Sequence, residues 1–288
     1  MVRAVALLAA TLVIAVSLLS SAAIAQQPPT EAAGQRPAAR GPAIPKHPDF
    51  LGALAPDNLK AKRPAAPFDM TGTWFIDLSE GFSKFRFGPP YPEFKEAAAA
   101  ALKEGAAARA AGEPYRDSIG QCFPPGMPMM MTRVWPIAMI QAPTAVYMVS
   151  GFDNGLRIIY LDGRKFSDPD TVVYSYNGES IGRWEAQTLV VHSKYFETEH
   201  HWIDSGLPVS EQFEIVERIR SINGGTTLEI EYIMTDPENW VGEWRSTKRW
   251  NRQDYTDIVE VECLPNLNDH LPGTLQGNSA LEAREKAQ

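Results

Sequence analysis

The sequence predicts an all-β fold, an antiparallel β-barrel of lipocalin-like type or a β-sandwich, with one helix on its N-terminal side. Three observations carry this. From Trp74 onward, short apolar or alternating runs recur at hairpin spacing, roughly nine to eleven of them. Turn chemistry separates them: Ala142-Pro143-Thr144, Asp153-Asn154-Gly155, Asp162-Gly163, Asn177-Gly178, Asn223-Gly224-Gly225 and Asp236-Pro237. Such residues supply a positive or fixed φ where the chain reverses. Only one long stretch, Glu93 to Ala111, has the Ala/Lys/Glu composition of a helix.

Residues 1–25 precede the fold. Arg3, the apolar run from Ala4 to Leu19 and the small residues Ala23-Ile24-Ala25 form a secretory signal peptide. The flanks and the cleavage pattern argue against a membrane-spanning helix, so a periplasmic location is expected, with no stable membrane insertion. Gln26 to Pro67 is rich in Pro, Ala and charge and reads as a disordered linker. The barrel domain is expected over residues 68–263, and residues 264–288 form a polar tail.

Within the domain, Trp74 and Ile76 alternate with Phe75 and Asp77 in a first strand. After the helix, residues 122–131 read Cys-Phe-Pro-Pro-Gly-Met-Pro-Met-Met-Met, where the prolines forbid helix and ladder pairing. Its soft methionines suit a buried crossing or the lip of an apolar pocket, with Met129 and Met131 as ligand contacts. Strands follow at Val134–Gln141, Ala145–Val149, Leu156–Leu161, Thr171–Tyr176, one run of Ile181–Glu185 leading into Thr188–Phe196, then Gln212–Arg220, Thr226–Met234, Trp240–Trp250 and Ile258–Glu262.

The formal net charge is −8, and removal of the leader takes away only Arg3. An acidic chain without a basic stripe is a poor nucleic-acid binder, because phosphate neutralisation supplies most non-specific affinity. Two cysteines, Cys122 and Cys263, in an oxidising compartment are expected to form a disulfide, the rivals being a reactive Cys122 thiol and two buried thiols.

Strand parity selects the chemical candidates. Glu217 shares a face with Phe213, Ile215 and Ile219. It is therefore either a buried acid/base or half of a salt bridge across the sheet, with Arg183 or Lys248 as partner. Tyr232 shares a face with Leu228, Ile230 and Met234, and Tyr160 with Leu156 and Ile158, Arg157 lying opposite. His192 sits on a strand, and Glu197, Glu199, His200, His201 and Asp204 crowd one loop. Adjacent histidines on an extended segment point to opposite sides, and no zinc spacing accompanies them, so no metal is expected. The catalytic candidates are Glu217, His192, His200, His201 and Tyr232; Tyr160, Arg183, Trp184, Met129 and Met131 are candidate substrate contacts. No nucleophile elbow, P-loop or dinucleotide fingerprint occurs, so no cofactor is expected.

Several segments resemble an uncharacterised family of exported bacterial β-rich proteins. They are Cys122 with Gly126-Met127-Pro128, Ile159-Tyr-Leu-Asp-Gly-Arg164, Ser180-Ile-Gly-Arg-Trp-Glu185, Thr188-Leu-Val-Val191, Gly206-Leu-Pro208 with Ser210-Glu211, Glu217-Arg218 and Asp236-Pro237. The resemblance spans most of the folded region and implies a β-rich exported protein without a reaction. Where that pattern carries aspartate after Thr-Leu-Val-Val, this chain has His192.

Three functions fit these residues. The first is a cofactor-independent lyase, of decarboxylase type, acting on a small aromatic or phenolic acid in aromatic breakdown. The others are a carrier of a small apolar or aromatic molecule, with the same polar groups fixing orientation, and a structural envelope protein with a filled barrel.

Overall fold

A computed structural model describes residues 50–81, 86–111, 122–204 and 206–261. The expected signal peptide, most of the expected linker, Cys263 and the C-terminal tail lie outside the described residues.

The order of elements is α1 (Pro56–Lys60), β1 (Gly72–Ile76), β2 (Glu93–Phe94), α2 (Glu96–Ala111), β3 (Ile137–Gln141), β4 (Ala145–Ser150), β5 (Leu156–Tyr160), β6 (Glu179–Glu185) and β7 (Thr188–Lys194). The chain continues through β8 (Trp202–Asp204), β9 (Leu207–Pro208), β10 (Glu214–Ile222), β11 (Thr227–Thr235), β12 (Trp240–Val241) and β13 (Glu243–Gln253). Nine strands close into a barrel in the order β1-β13-β11-β10-β7-β6-β5-β4-β3, with β3 pairing back to β1. The fold is an all-β barrel rather than a sandwich.

A ring with an odd number of strands cannot alternate direction all the way round. One neighbouring pair must be parallel, and it is β5–β6, joined over only two residue pairs, Ile159–Ser180 and Tyr160–Ile181. A parallel pair needs a long crossover. Residues 161–178 provide it along the outside of the barrel. Phe166 packs edge-on against His192 and Tyr195, and the Tyr195 hydroxyl donates to the Ser167 carbonyl. The expected strand Thr171–Tyr176 therefore makes no ladder. Its apolar residues serve the crossover, with a single bridge from Ser175 to Phe196. The expected strand at residues 258–262 is likewise absent over its described part, where Val261 only exchanges hydrogen bonds with Asn154.

Alternation along each strand sends one face inward. Trp74, Ile76, Ile137, Met139, Val146, Met148, Leu189, Val191, Ile215, Ile219, Leu228, Ile230, Trp244 and Trp250 are buried there. These large side chains fill the interior. Outside, β10, β11 and β13 carry cross-strand ion pairs, such as Glu229 with Arg220 and Arg249.

The barrel has two differently built ends. One holds the β3–β4, β6–β7 and β10–β11 turns. At the other, Met127, Met129, Met130 and Met131 are buried, the last three in a 3₁₀ turn over Met129–Thr132. The small β8–β9 hairpin and α2 lie at that same end, α2 packing on β9 and burying Ala98 and Ala101. Alanine lets α2 lie close without large side chains. Among the described residues no helix is long and apolar enough to cross a membrane.

Gly126 shows why the Gly-Met-Pro segment has its sequence. Its φ is +63°, and a Cβ there would lie 2.5 Å from His201 Nε2 and 2.6 Å from the Tyr176 carbonyl oxygen. The neighbouring Met127 amide donates to that same carbonyl at 2.9 Å. Gly126→Ala is expected to destabilise the domain by about 2–4 kcal/mol, through left-handed backbone plus a clash with backbone. Urea unfolding would measure it, and a loss below about 0.5 kcal/mol would contradict the packing described.

Candidate functional site

Two places bring chemical groups together. The first is inside the barrel. Arg157 on β5 reaches across to Glu217 on β10, pairing both carboxylate oxygens through its two terminal nitrogens, one of them at 3.0 Å. Its Nε donates to Ser180 Oγ at 3.2 Å and its Nη2 to Ser193 Oγ at 3.1 Å, while the two serine hydroxyls lie 2.8 Å apart. All four residues are at most 1 % exposed. Glu217 thus faces inward, as its parity predicts, but its partner is neither Arg183 nor Lys248. Arg183 is exposed and pairs with Glu185, and Lys248 donates to the Arg86 carbonyl at 2.6 Å.

The assignment of faces on β5 needs correction. Arg157 and Ile159 point inward, while Leu156 is exposed and Tyr160 lies outside, with the Arg164 guanidinium 3.8 Å above its ring. Leu-Arg-Ile-Ile-Tyr has apolar residues in both registers, so periodicity cannot choose between them. The missing signal was electrostatic: a carboxylate on the inward face of β10 requires a cation inside the same barrel.

Tyr232 stands directly opposite Glu217 on β11. Its hydroxyl is buried without a hydrogen-bond partner, and its ring meets Phe87 edge-on. Burial, and then the Glu217 charge, push its ionisation well above the usual phenol range.

The histidines do not join this network. His192 lies on the outer face of β7, where Nε2 meets Glu214 at 2.7 Å. The aspartate-to-histidine departure thus sits beside the crossover rather than in the interior. His200 stacks on Phe123, with ring centroids 4.0 Å apart. His201 turns the other way and is buried, its Nδ1 on the Glu197 carbonyl at 2.7 Å. The Met127 carbonyl is the polar group near its Nε2, which makes no hydrogen bond of acceptable geometry. Burial lowers the His201 pKa to about 4. Met129 and Met131 are buried at the same end. Among the described residues, no three His, Cys, Asp or Glu side chains converge as a metal site. Cys122 is disulfide-bonded, and Cys263 lies outside the described residues.

The second place is at the opposite, turn-rich end of the barrel. Residues 50–67, within the expected linker, cross this end as an ordered strap containing α1. Between the strap, the β3–β4 turn, residues 161–163 and the β6–β7 hairpin is an open cleft of about 880 Å³. Leu59, Pro64, Pro67, Pro143, Leu161 and Trp184 give it apolar walls, and Arg63, Arg183, Asp69 and Asp162 are its charged lining. Trp184 is held edge-on by Phe68, with centroids 5.0 Å apart. Of the expected substrate contacts, Arg183 and Trp184 line this cleft; Tyr160, Met129 and Met131 do not.

Asp162 ties the strap to the barrel. It accepts two hydrogen bonds from the Arg164 side chain, at 2.9 and 2.6 Å, and one from Asn58 Nδ2 at 2.9 Å. Burial pushes its carboxyl up, but the Arg164 and Asn58 hydrogen bonds prevail and hold it below the usual range. Asp236 does a similar job at the other end, accepting from the Ser210 amide and hydroxyl and from Asn239.

Comparison with protein-family models gives no match, and a search of curated proteins returns no similar sequence. Function is therefore argued from geometry.

Two outcomes are expected. Arg157→Met or Glu217→Leu alone should cost about 3–5 kcal/mol, because each strands a buried charge, while the double variant should recover most of the loss. Chemical unfolding of all four proteins closes the cycle, and additive losses would contradict direct pairing. For His201, the folded pKa lies below the unfolded one, so the unfolded chain takes the proton first. Its contribution is complete above about pH 6.5 and is lost as pH falls towards 4. From pH 7 to 5 the wild type should lose about 2 kcal/mol more than His201→Gln, read from unfolding midpoints. Parallel pH profiles would contradict the buried neutral imidazole.

Proposed function

We propose that this chain is an exported binding protein for a small, flat, apolar or aromatic molecule carrying an anionic group, taken up in the cleft at the barrel end. The observation that carries this reading is the contrast between the two places. The interior is filled by large side chains, and its carboxylate is committed to Arg157. The cleft is open, mostly apolar and of ligand size; its lining has two guanidinium groups, and its carboxylates are engaged, Asp162 by Arg164 and Asn58 and Asp69 by the Thr71 amide. Pockets with apolar walls and a few orienting polar groups are the usual form of small-molecule sites. Trp184 supplies an aromatic face, and Arg63, together with Arg183 on exchanging its exposed Glu185 partner, supplies charge for a carboxylate.

Export rests on the leader-like residues 1–25, and kinship on the segments that resemble exported β-rich bacterial proteins. Several of those segments have structural work here. Gly126 seats His201, Asp162 and Arg164 hold the strap, Asp236 ties Ser210, and Glu217 pairs Arg157.

One observation favours a second reading, the decarboxylating lyase. The buried Tyr232 hydroxyl, without a partner, faces Glu217 across adjacent strands. In that reading the bond from the aromatic ring to its carboxylate breaks and the electron pair stays on the ring carbon. Carbon dioxide leaves, and a proton from Tyr232 is taken up at that carbon, to be replaced from water. It requires the barrel to open to substrate.

Titration with a panel of benzoic, cinnamic and hydroxybenzoic acids, followed by tryptophan fluorescence and by mass spectrometry, separates the readings. Binding without turnover is expected. Trp184→Ala should weaken it about tenfold, Arg183→Ala should weaken it less, and Glu217→Gln should leave it unchanged. Loss of substrate with release of carbon dioxide, abolished by Tyr232→Phe, would instead establish the lyase.

A further inference from the structure

We infer that the strap of residues 50–67 is the gate of the cleft, opening by local detachment while the barrel stays folded. The inference deepens the binding reading above and depends on the cleft being the ligand site.

The strap forms one wall of the cleft through Leu59, Arg63, Pro64 and Pro67. It is held almost wholly by polar latches. Thr144 Oγ1 donates to the Ala53 carbonyl at 2.7 Å, Arg164 Nη2 to the Leu51 carbonyl at 3.1 Å, and Asn58 Nδ2 to Asp162 at 2.9 Å. Arg63 in turn donates to the Asn58 side chain at 2.5 Å and to its carbonyl at 2.6 Å. Apolar anchoring is slight. Ala53 and Asn58 are the strap's buried residues, while Leu51 and Leu54 are 56 % and 59 % exposed. A segment that buries little apolar surface and depends on a few hydrogen bonds sits at the low end of local stability. Residues 50–67 contribute no pairing to the closed barrel beneath them, whose β5–β6 seam ends at Tyr160–Ile181, so detachment of the strap leaves the ladder intact.

The latches also sit where a ligand would be felt. Arg63 is both a latch group and a cleft residue, and Asp162 borders the cleft while holding Asn58. An anionic ligand drawn to Arg63 therefore bears on the same side chain that fastens α1. Closure over an occupied cleft would add the strap's apolar wall to the ligand's contacts.

The test uses the mature chain, hydrogen exchange and anilinonaphthalene sulfonate as a flat anionic aromatic probe. The strap's own hydrogen-bonded amides, Ala55, Leu59 and Ala61, report its opening. They are expected to exchange far faster than those of β11. Asn58→Ala and, separately, Thr144→Val should accelerate them about fivefold, the loss of one hydrogen bond, with β11 unchanged. Both variants should also speed probe association, and bound probe should slow strap exchange in the wild type. Strap amides that exchange only with β11 would overturn local opening. Faster strap exchange with unaltered probe kinetics would overturn the gate while leaving the cleft as a site. A probe that does not bind the wild type or either variant would overturn the gate and the cleft reading together.

Discussion

A salt bridge through the middle of the barrel organises this protein. Arg157 and Glu217 face each other across the interior from β5 and β10, with Ser180 and Ser193 completing the guanidinium's contacts. Placing two charges in an apolar interior is costly unless each satisfies the other. The pair therefore fixes which face of β5 turns inward, and with it the register of the strand next to the parallel seam. That seam is short, two residue pairs between β5 and β6, and it is where a nine-stranded ring must break its alternation. A buried ionic cross-link beside the weakest pairing of the ring is a reason for a polar network in an otherwise apolar core.

From this follows the division of labour between interior and end. Tryptophans, methionines and the ionic network fill the barrel, leaving its carboxylate engaged. The methionine segment, His201 and the β8–β9 hairpin cover one end. Among the described residues the strap alone crosses the other end, and there the apolar walls, Trp184 and the arginines lie open. The ligand site we propose therefore lies at the end of the barrel rather than at its centre.

Much of the fold was legible in the sequence because strand period and turn chemistry are local. The hairpins of β3–β4 and β10–β11 fall where Ala-Pro-Thr and Asn-Gly-Gly interrupt the alternating runs, whereas Ile181–Phe196, which reads as one strand run, folds back at Ala186 (φ +51°) into the β6–β7 hairpin. What was illegible depends on distant pairing. Leu156–Tyr160 is apolar in both registers, so only Glu217, sixty residues on, decides that Arg157 points inward. Residues 171–176 have strand composition but belong to the crossover that a parallel pair demands, and nothing local announces it. The strap reads as linker because its ordering comes from side chains of residues 144, 162 and 164. Trp184 and Arg183, expected as contacts to a substrate inside the barrel, line the cleft at its end instead. The histidines, conspicuous in the sequence, are dispersed by strand parity and loop direction.

Whether ligand enters the end cleft or the interior is read from amide and indole chemical shifts during titration with an aromatic carboxylic acid. Entry at the cleft moves Trp184, Arg183, Leu161 and the strap and leaves Ser180, Ser193, Glu217 and Tyr232 unmoved. Shifts centred on Glu217 and Tyr232, with the cleft silent, would contradict it.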